Sequence, residues 1–147
     1  MNRNWILVAG SSEAELYSQE KPGAALAAIR HFKHDESRAL RQDLASDKPG
    51  RAYDSFGKGR HGMDPESYMQ DEESRRFARE IVSSLEDGYR HHEFEHLTII
   101  AEPKFLGCLR KAMPNLLSAQ VRTEIPKNLV GHEVTEISNL VRPIFLQ

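Results

Sequence analysis

A chain of 147 residues with 39% hydrophobic and 29% charged side chains is long enough to bury one core and reads as a single soluble globular domain. Its formal charge of −2 argues against a surface that coats nucleic acid wholesale, while leaving room for local basic patches. The one cysteine, Cys108, excludes an internal disulfide. The apolar run that begins at Trp5 is too short for a signal-peptide core, and no later run approaches a membrane span, so a cytoplasmic protein is expected.

The elements, taken in chain order, predict an α/β fold. Trp5 to Ala9 is a continuous apolar run closed by Gly10-Ser11-Ser12, which reads as a buried strand, and Ala14 to Ser18 alternates well enough to pair with it as a hairpin. Glu20 to Gly23 is a turn. Ala24 to Phe32 is ambiguous, because its alanines favour helix while Leu26, Ile29 and Phe32 suit a third strand. Asp35 can cap a short helix running to about Leu44.

A second helix is signalled by Asp64-Pro65-Glu66, with proline suited to the first helical position. Phe77, Ile81 and Leu85 recur every four residues beside Ala78 and Val82, so one face packs on a core. Gly88 is read as its stop. On the opposite side Glu72 with Arg76, and Arg75 with Arg79, read as a solvated face.

Leu97 to Ala101 is a second buried strand, and Pro103 opens a helix carrying Phe105, Leu106, Leu109, Ala112 and Met113. Cys108 lies on the same side as Phe105 and reads as a structural thiol. Ala119 to Ile125 alternates as a strand, and Val134, Ile137, Leu140 and Val141 mark a last amphipathic helix before Pro143. This alternation of strand and helix implies right-handed crossovers and parallel pairing in the second half.

The long connection between these halves is the least ordinary segment. Residues 46–63 hold four glycines and the side chains of Lys48, Arg51, Lys58, Arg60 and His61, with no helical or strand period. Loops of that length are uncommon in compact domains. The positive charge, interrupted by Asp47 and Asp54, points to an anionic ligand, with Lys48, Arg51, Lys58, Gly59 and Arg60 as candidate binding residues.

Two apparent motifs fail on context. His92-Glu93-Phe94-Glu95-His96 matches the zinc-protease pattern H-E-x-x-H, which needs both histidines on one helical face. Gly88 and the strand starting at Leu97 leave no helix there, so no metal or cofactor is expected. Gly57 to Gly62 resembles a phosphate cradle but lacks the strand-to-helix setting and the terminal Lys-Ser/Thr of a P-loop.

Ser46-Asp-Lys-Pro-Gly-Arg51, Gly59-Arg-His61, Arg76-Phe-Ala-Arg-Glu-Ile81, Ala101-Glu-Pro-Lys-Phe-Leu-Gly107 and Ile125-Pro-Lys-Asn-Leu129 stand in the order and spacing of the bacterial host-attachment protein family. The resemblance spans nearly the whole chain and implies residues 1–147 as one family domain with a basic glycine-rich loop at 46–64. It also favours Leu26 to Phe32 as a strand. The chain departs from the family at Val8-Ala9-Gly10, where members usually carry an aspartate.

More remotely, the order of basic loop, Arg-Phe-Ala-Arg helix and buried strand is similar to the middle domain of archaeal and eukaryotic release factors. That domain carries a Gly-Gly-Gln loop, whereas this chain has Gly59-Arg60-His61-Gly62. The resemblance implies a mixed central sheet with flanking helices, and RNA or the ribosome as a partner for the loop. An ester or phosphoester hydrolase is the alternative, with His61 as general acid or base, Arg60 or Arg51 stabilising negative charge, and Asp54 as a further candidate catalytic residue. Attachment to host cells, direct or indirect, is the third reading.

Overall fold

The computed structural model describes residues 3–34 and 65–145. They form a five-stranded mixed sheet between helices, the α/β architecture expected. The strands are β1 (Asn4–Ala9), β2 (Glu13–Gln19), β3 (Ala27–Lys33), β4 (His96–Ala101) and β5 (Val121–Ile125), in the order β3-β2-β1-β4-β5. Helices are α1 (Pro65–Arg90), α2 (Pro103–Ala112), the single turn α3 (Asn115–Ser118) and α4 (Val134–Phe145).

Central β1 is buried along its whole length, as its unbroken apolar run requires. It pairs antiparallel with β2, opposing Leu7 to Leu16, and parallel with β4, opposing Leu7 to Ile99. β4 in turn runs parallel to β5. The parallel second half therefore follows from the strand-helix alternation, and the meander at the start follows from two short turns that cannot carry a crossover. β3 is a strand, as the family pattern favours, and it forms one edge of the sheet.

Alternation along the strands sorts the core into two clusters, one on each face. Trp5, Leu7, Leu16, Leu97 and Ile99 pack with Phe77, Ile81 and Leu85 of α1 and with Phe105 and Leu109 of α2. Ile6, Val8, Tyr17 and Ile100 pack with Ile137 and Val141 of α4 on the other face. Burying one such side chain fully is worth about 1.5–3 kcal/mol, so these two stripes, read from helical spacing alone, hold the layers together. Cys108 is a free thiol, half-buried at the margin of the first cluster.

Three local expectations are corrected. Gly88 does not stop α1, which continues to Arg90; an added Cβ there would lie 2.6 Å from Cζ3 of the Trp5 indole and closer still to Cη2. The glycine makes room for a ring that is itself stacked on Phe94 at 4.5 Å. The stop is instead His92 at φ 58°, with the N–H of His92 bonded to the carbonyl of Tyr89 and that of Glu93 to Gly88. This is the paired closure in which a left-handed residue ends a helix, here with histidine in the place glycine usually takes.

On the charged face of α1, Arg75 lies 3.3 Å from Glu72 and Arg76 lies 3.0 Å from Glu73, each pair three residues apart. β5 begins at Val121, because Asn115–Ser118 form a helical turn. Finally, α4 runs through Pro143 to Phe145. The helix expected between Asp35 and Leu44 lies outside the described residues.

Candidate functional site

A groove of about 560 Å³ runs between edge strand β3 and helix α1. Arg30 and Phe32, two residues apart on β3, share one side of the pleat and form one wall. Arg76, Arg79, Ser83 and Ser84, spaced along two turns of α1, form the other. Three guanidinium groups thus converge on one concave surface, with Glu80 the carboxylate among the lining side chains. Arg30 donates a hydrogen bond to the Ser84 hydroxyl across the groove, joining the two walls.

The α1 arginines are not equivalent. Arg75, Arg76 and Arg90 each sit beside an acidic residue three positions back on the same helix. Arg79 faces the groove, is exposed, and has no ion pair among the described residues.

Glu80 also belongs to a polar cluster around the buried ring of His34. His34, 6% exposed, stacks on Phe77 at 5.1 Å, with Nε2 2.8 Å from Glu73 Oε1 and Nδ1 3.3 Å from Glu80 Oε1. Its backbone N–H donates to Ser12 O at 2.9 Å, tying the end of β3 to the β1–β2 turn. Since both ring nitrogens face carboxylates, neither is placed to take a proton from a ligand in the groove; the cluster instead fastens β3 to α1.

At the same end of the sheet, Lys104 at the start of α2 meets Asp71 of α1 at 2.9 Å. The hydrogen bond to that carboxylate, and then its charge, push the exposed ammonium above its ordinary 10.5. Two segments that carry the family resemblance, around Arg76 and around Lys104, are therefore joined through α1 and α2.

The residues predicted from sequence as ligands, Lys48, Arg51, Lys58, Gly59 and Arg60, and as catalytic, Asp54, Arg60 and His61, all lie outside the described residues. Sequence reading missed Arg30, Arg79 and His34. Arg30 lies within, and His34 just beyond, a segment left between helix and strand by propensity, and the pairing of His34 with Glu73 joins residues 39 apart. The only local signal was Arg79, paired on paper with the like-charged Arg75 and so left without an acidic partner. His92 and His96 do not share a helix: the first ends α1 and the second opens β4.

This α/β domain, with a basic groove along one sheet edge, matches a family model over residues 5–141, and that family is described as proteins required for attachment to host cells. The chain belongs to that family. A relative in Rickettsia prowazekii, an uncharacterized protein, is 32% identical over 113 residues, covering 74% of this chain and 69% of that protein. Among solved structures, the PilM-PilN type IV pilus biogenesis complex matches 98% of this chain with a TM-score of 0.42 and 19% identity, and this chain spans 42% of that one. So distant a likeness carries no argument about function. Neither relative supports the release-factor resemblance or an RNA partner. No described helix is long and apolar enough to cross a membrane.

Proposed function

We propose that this host-attachment-family protein is a binding or adaptor module that receives an anionic partner in the groove between β3 and α1. The observation that carries the reading is the convergence of Arg30, Arg76 and Arg79 in one concavity, with Arg79 in no ion pair among the described residues although Glu80 also lines the groove. A cation held in a cleft with low-dielectric walls attracts a ligand charge more strongly than one on open surface. Guanidinium groups, planar and always charged, suit carboxylate and phosphate alike.

Within this reading RNA or the ribosome is the partner class implied by the release-factor resemblance, and an acidic protein segment is the other. The basic residues between 46 and 63 would add to the attraction in either case. The module would work in the cytoplasm, the location expected from the sequence, and attachment to host cells would follow indirectly from whichever partner it binds.

Chromatography on immobilised heparin, a partner-neutral polyanion, tests the groove. Arg30→Ala combined with Arg79→Ala is expected to elute at distinctly lower salt than the wild type, because each lost contact removes a salt-dependent term. Elution at the same salt would exclude the groove as the anion site. Both side chains are exposed, so the fold is expected to survive the substitutions.

A further inference from the structure

We propose that β3 and α1 form a strand-addition site for an extended acidic peptide, which pairs through its backbone with the outer edge of β3 and sets alternate carboxylates against Arg30 and Arg79. The proposal rests on the groove being an anion site and names the class of anion.

Among the described residues β3 is hydrogen-bonded to β2 alone, and residues 27 to 31 are exposed in succession. An edge of this kind presents a row of backbone donors and acceptors to solvent. A helix beside an edge strand makes the groove into which extended peptides add as an extra strand, with main-chain bonds supplying affinity and alternate side chains supplying specificity. The geometry here meets that requirement. Arg30 and Phe32 project into the groove from β3, so in a strand added roughly 4.8 Å further out every second side chain would point to the same side, toward Arg79 and Ser83.

Charge selects the occupant. The outer strand carries Arg30 and Lys33, and a second copy of β3 laid against it would oppose cation to cation, which disfavours self-pairing. An acidic strand meets the same residues favourably, so the devices that block self-association choose the partner. A phosphodiester chain would satisfy the guanidinium groups but has no donors and acceptors in register with a strand edge. The bulge where Leu16 and Tyr17 change register against β3 bends the first half of the edge, so pairing is expected along Arg30 to Lys33.

The probes are a fluorescent octapeptide alternating valine and glutamate, the same peptide N-methylated at every second amide, a valine/lysine counterpart, and an oligouridylate. Anisotropy is expected to show binding of the acidic peptide, weakened about tenfold or more by N-methylation and by Arg79→Glu. Binding is also expected to slow amide exchange in residues 30 to 33. Arg79→Glu should gain binding of the valine/lysine peptide, a reversal that a misfolded variant could not produce. Equal affinity for the N-methylated peptide, no binding of the acidic peptide, or no gain of the valine/lysine peptide would overturn strand addition. Arg79-dependent binding of oligouridylate alone would overturn it in favour of a nucleic-acid partner while leaving the anion-binding reading intact. If no probe responds to Arg30→Ala or Arg79→Glu, both fall.

Discussion

Gly88 occupies the third residue from the end of α1, where the indole of Trp5 lies against the helix backbone. Two effects of opposite sign meet there. Replacing a helical glycine by alanine gains about 0.8–1 kcal/mol in helix propensity, whereas forcing a methyl group into a filled core costs about 1–3 kcal/mol. The second wins because the ring cannot retreat: Trp5 is 3% exposed and stacked on Phe94. Gly88→Ala is therefore expected to lower the unfolding free energy by about 1–2 kcal/mol, measured by denaturant titration. A variant more stable than the wild type would show that propensity outweighs the contact. A glycine near the end of a predicted helix carries the same letter whether it stops the helix or admits a ring, and only the tertiary contact distinguishes the two. His92 illustrates the converse, since nothing in its type announces the left-handed conformation that ends α1.

At the scale of elements, the joint between β3 and α1 is what positions the groove, and His34 is its fastening. Its ring lies between Glu73 and Glu80 and over Phe77, so its removal takes a partner from each carboxylate and leaves a void over the Phe77 ring. His34→Ala is expected to destabilise the protein by about 1–3 kcal/mol, through the lost hydrogen bond to Glu73 and lost packing on Phe77. It should also raise amide exchange in β3 more than in β1, which has partners on both sides. Uniform exchange across both strands would mean that His34 contributes to global stability without holding the edge. The elements themselves were largely legible from sequence, because β1 and β4 are short apolar runs buried on both faces, and α1 and α4 each bury a stripe whose spacing is set by helix geometry. The joint was not. It depends on a histidine and a glutamate 39 residues apart, and on a strand whose exposed positions give it no apolar pattern to read. The groove arginines belong to the same blind spot, since charges on the outside of a helix read as a solvated face until the neighbouring strand is placed.

For the whole molecule, the two faces of the sheet differ in how they meet charge. The α1 and α2 face is buried under a broad apolar layer, while the α4 face places the Tyr17 phenol within its cluster of Ile6, Val8 and Ile100. Burial, and secondarily the Glu15 carboxylate, push that phenol above its ordinary 10.0. A group whose folded-state pKa exceeds its unfolded value stabilises the fold fully below the unfolded value, and the contribution disappears as pH rises through the folded one. Stability is thus expected to be insensitive to Tyr17 at neutral pH and to fall above pH 10, by up to about 1.4 kcal/mol per unit from this group. Lys104, also raised, changes in the same direction, but it is exposed and its pairing with Asp71 is screened by solvent, so its share is small. Denaturant titrations at several pH values between about 9 and 11.5 separate the two, since Tyr17→Phe removes the phenol while keeping the ring in the core. The variant should lose less stability than the wild type across that range, and Lys104→Met should follow the wild type closely. Parallel decline of wild type and Tyr17→Phe would place the alkaline sensitivity elsewhere, and the α4 face would then be no more vulnerable to charge than the face beneath α1.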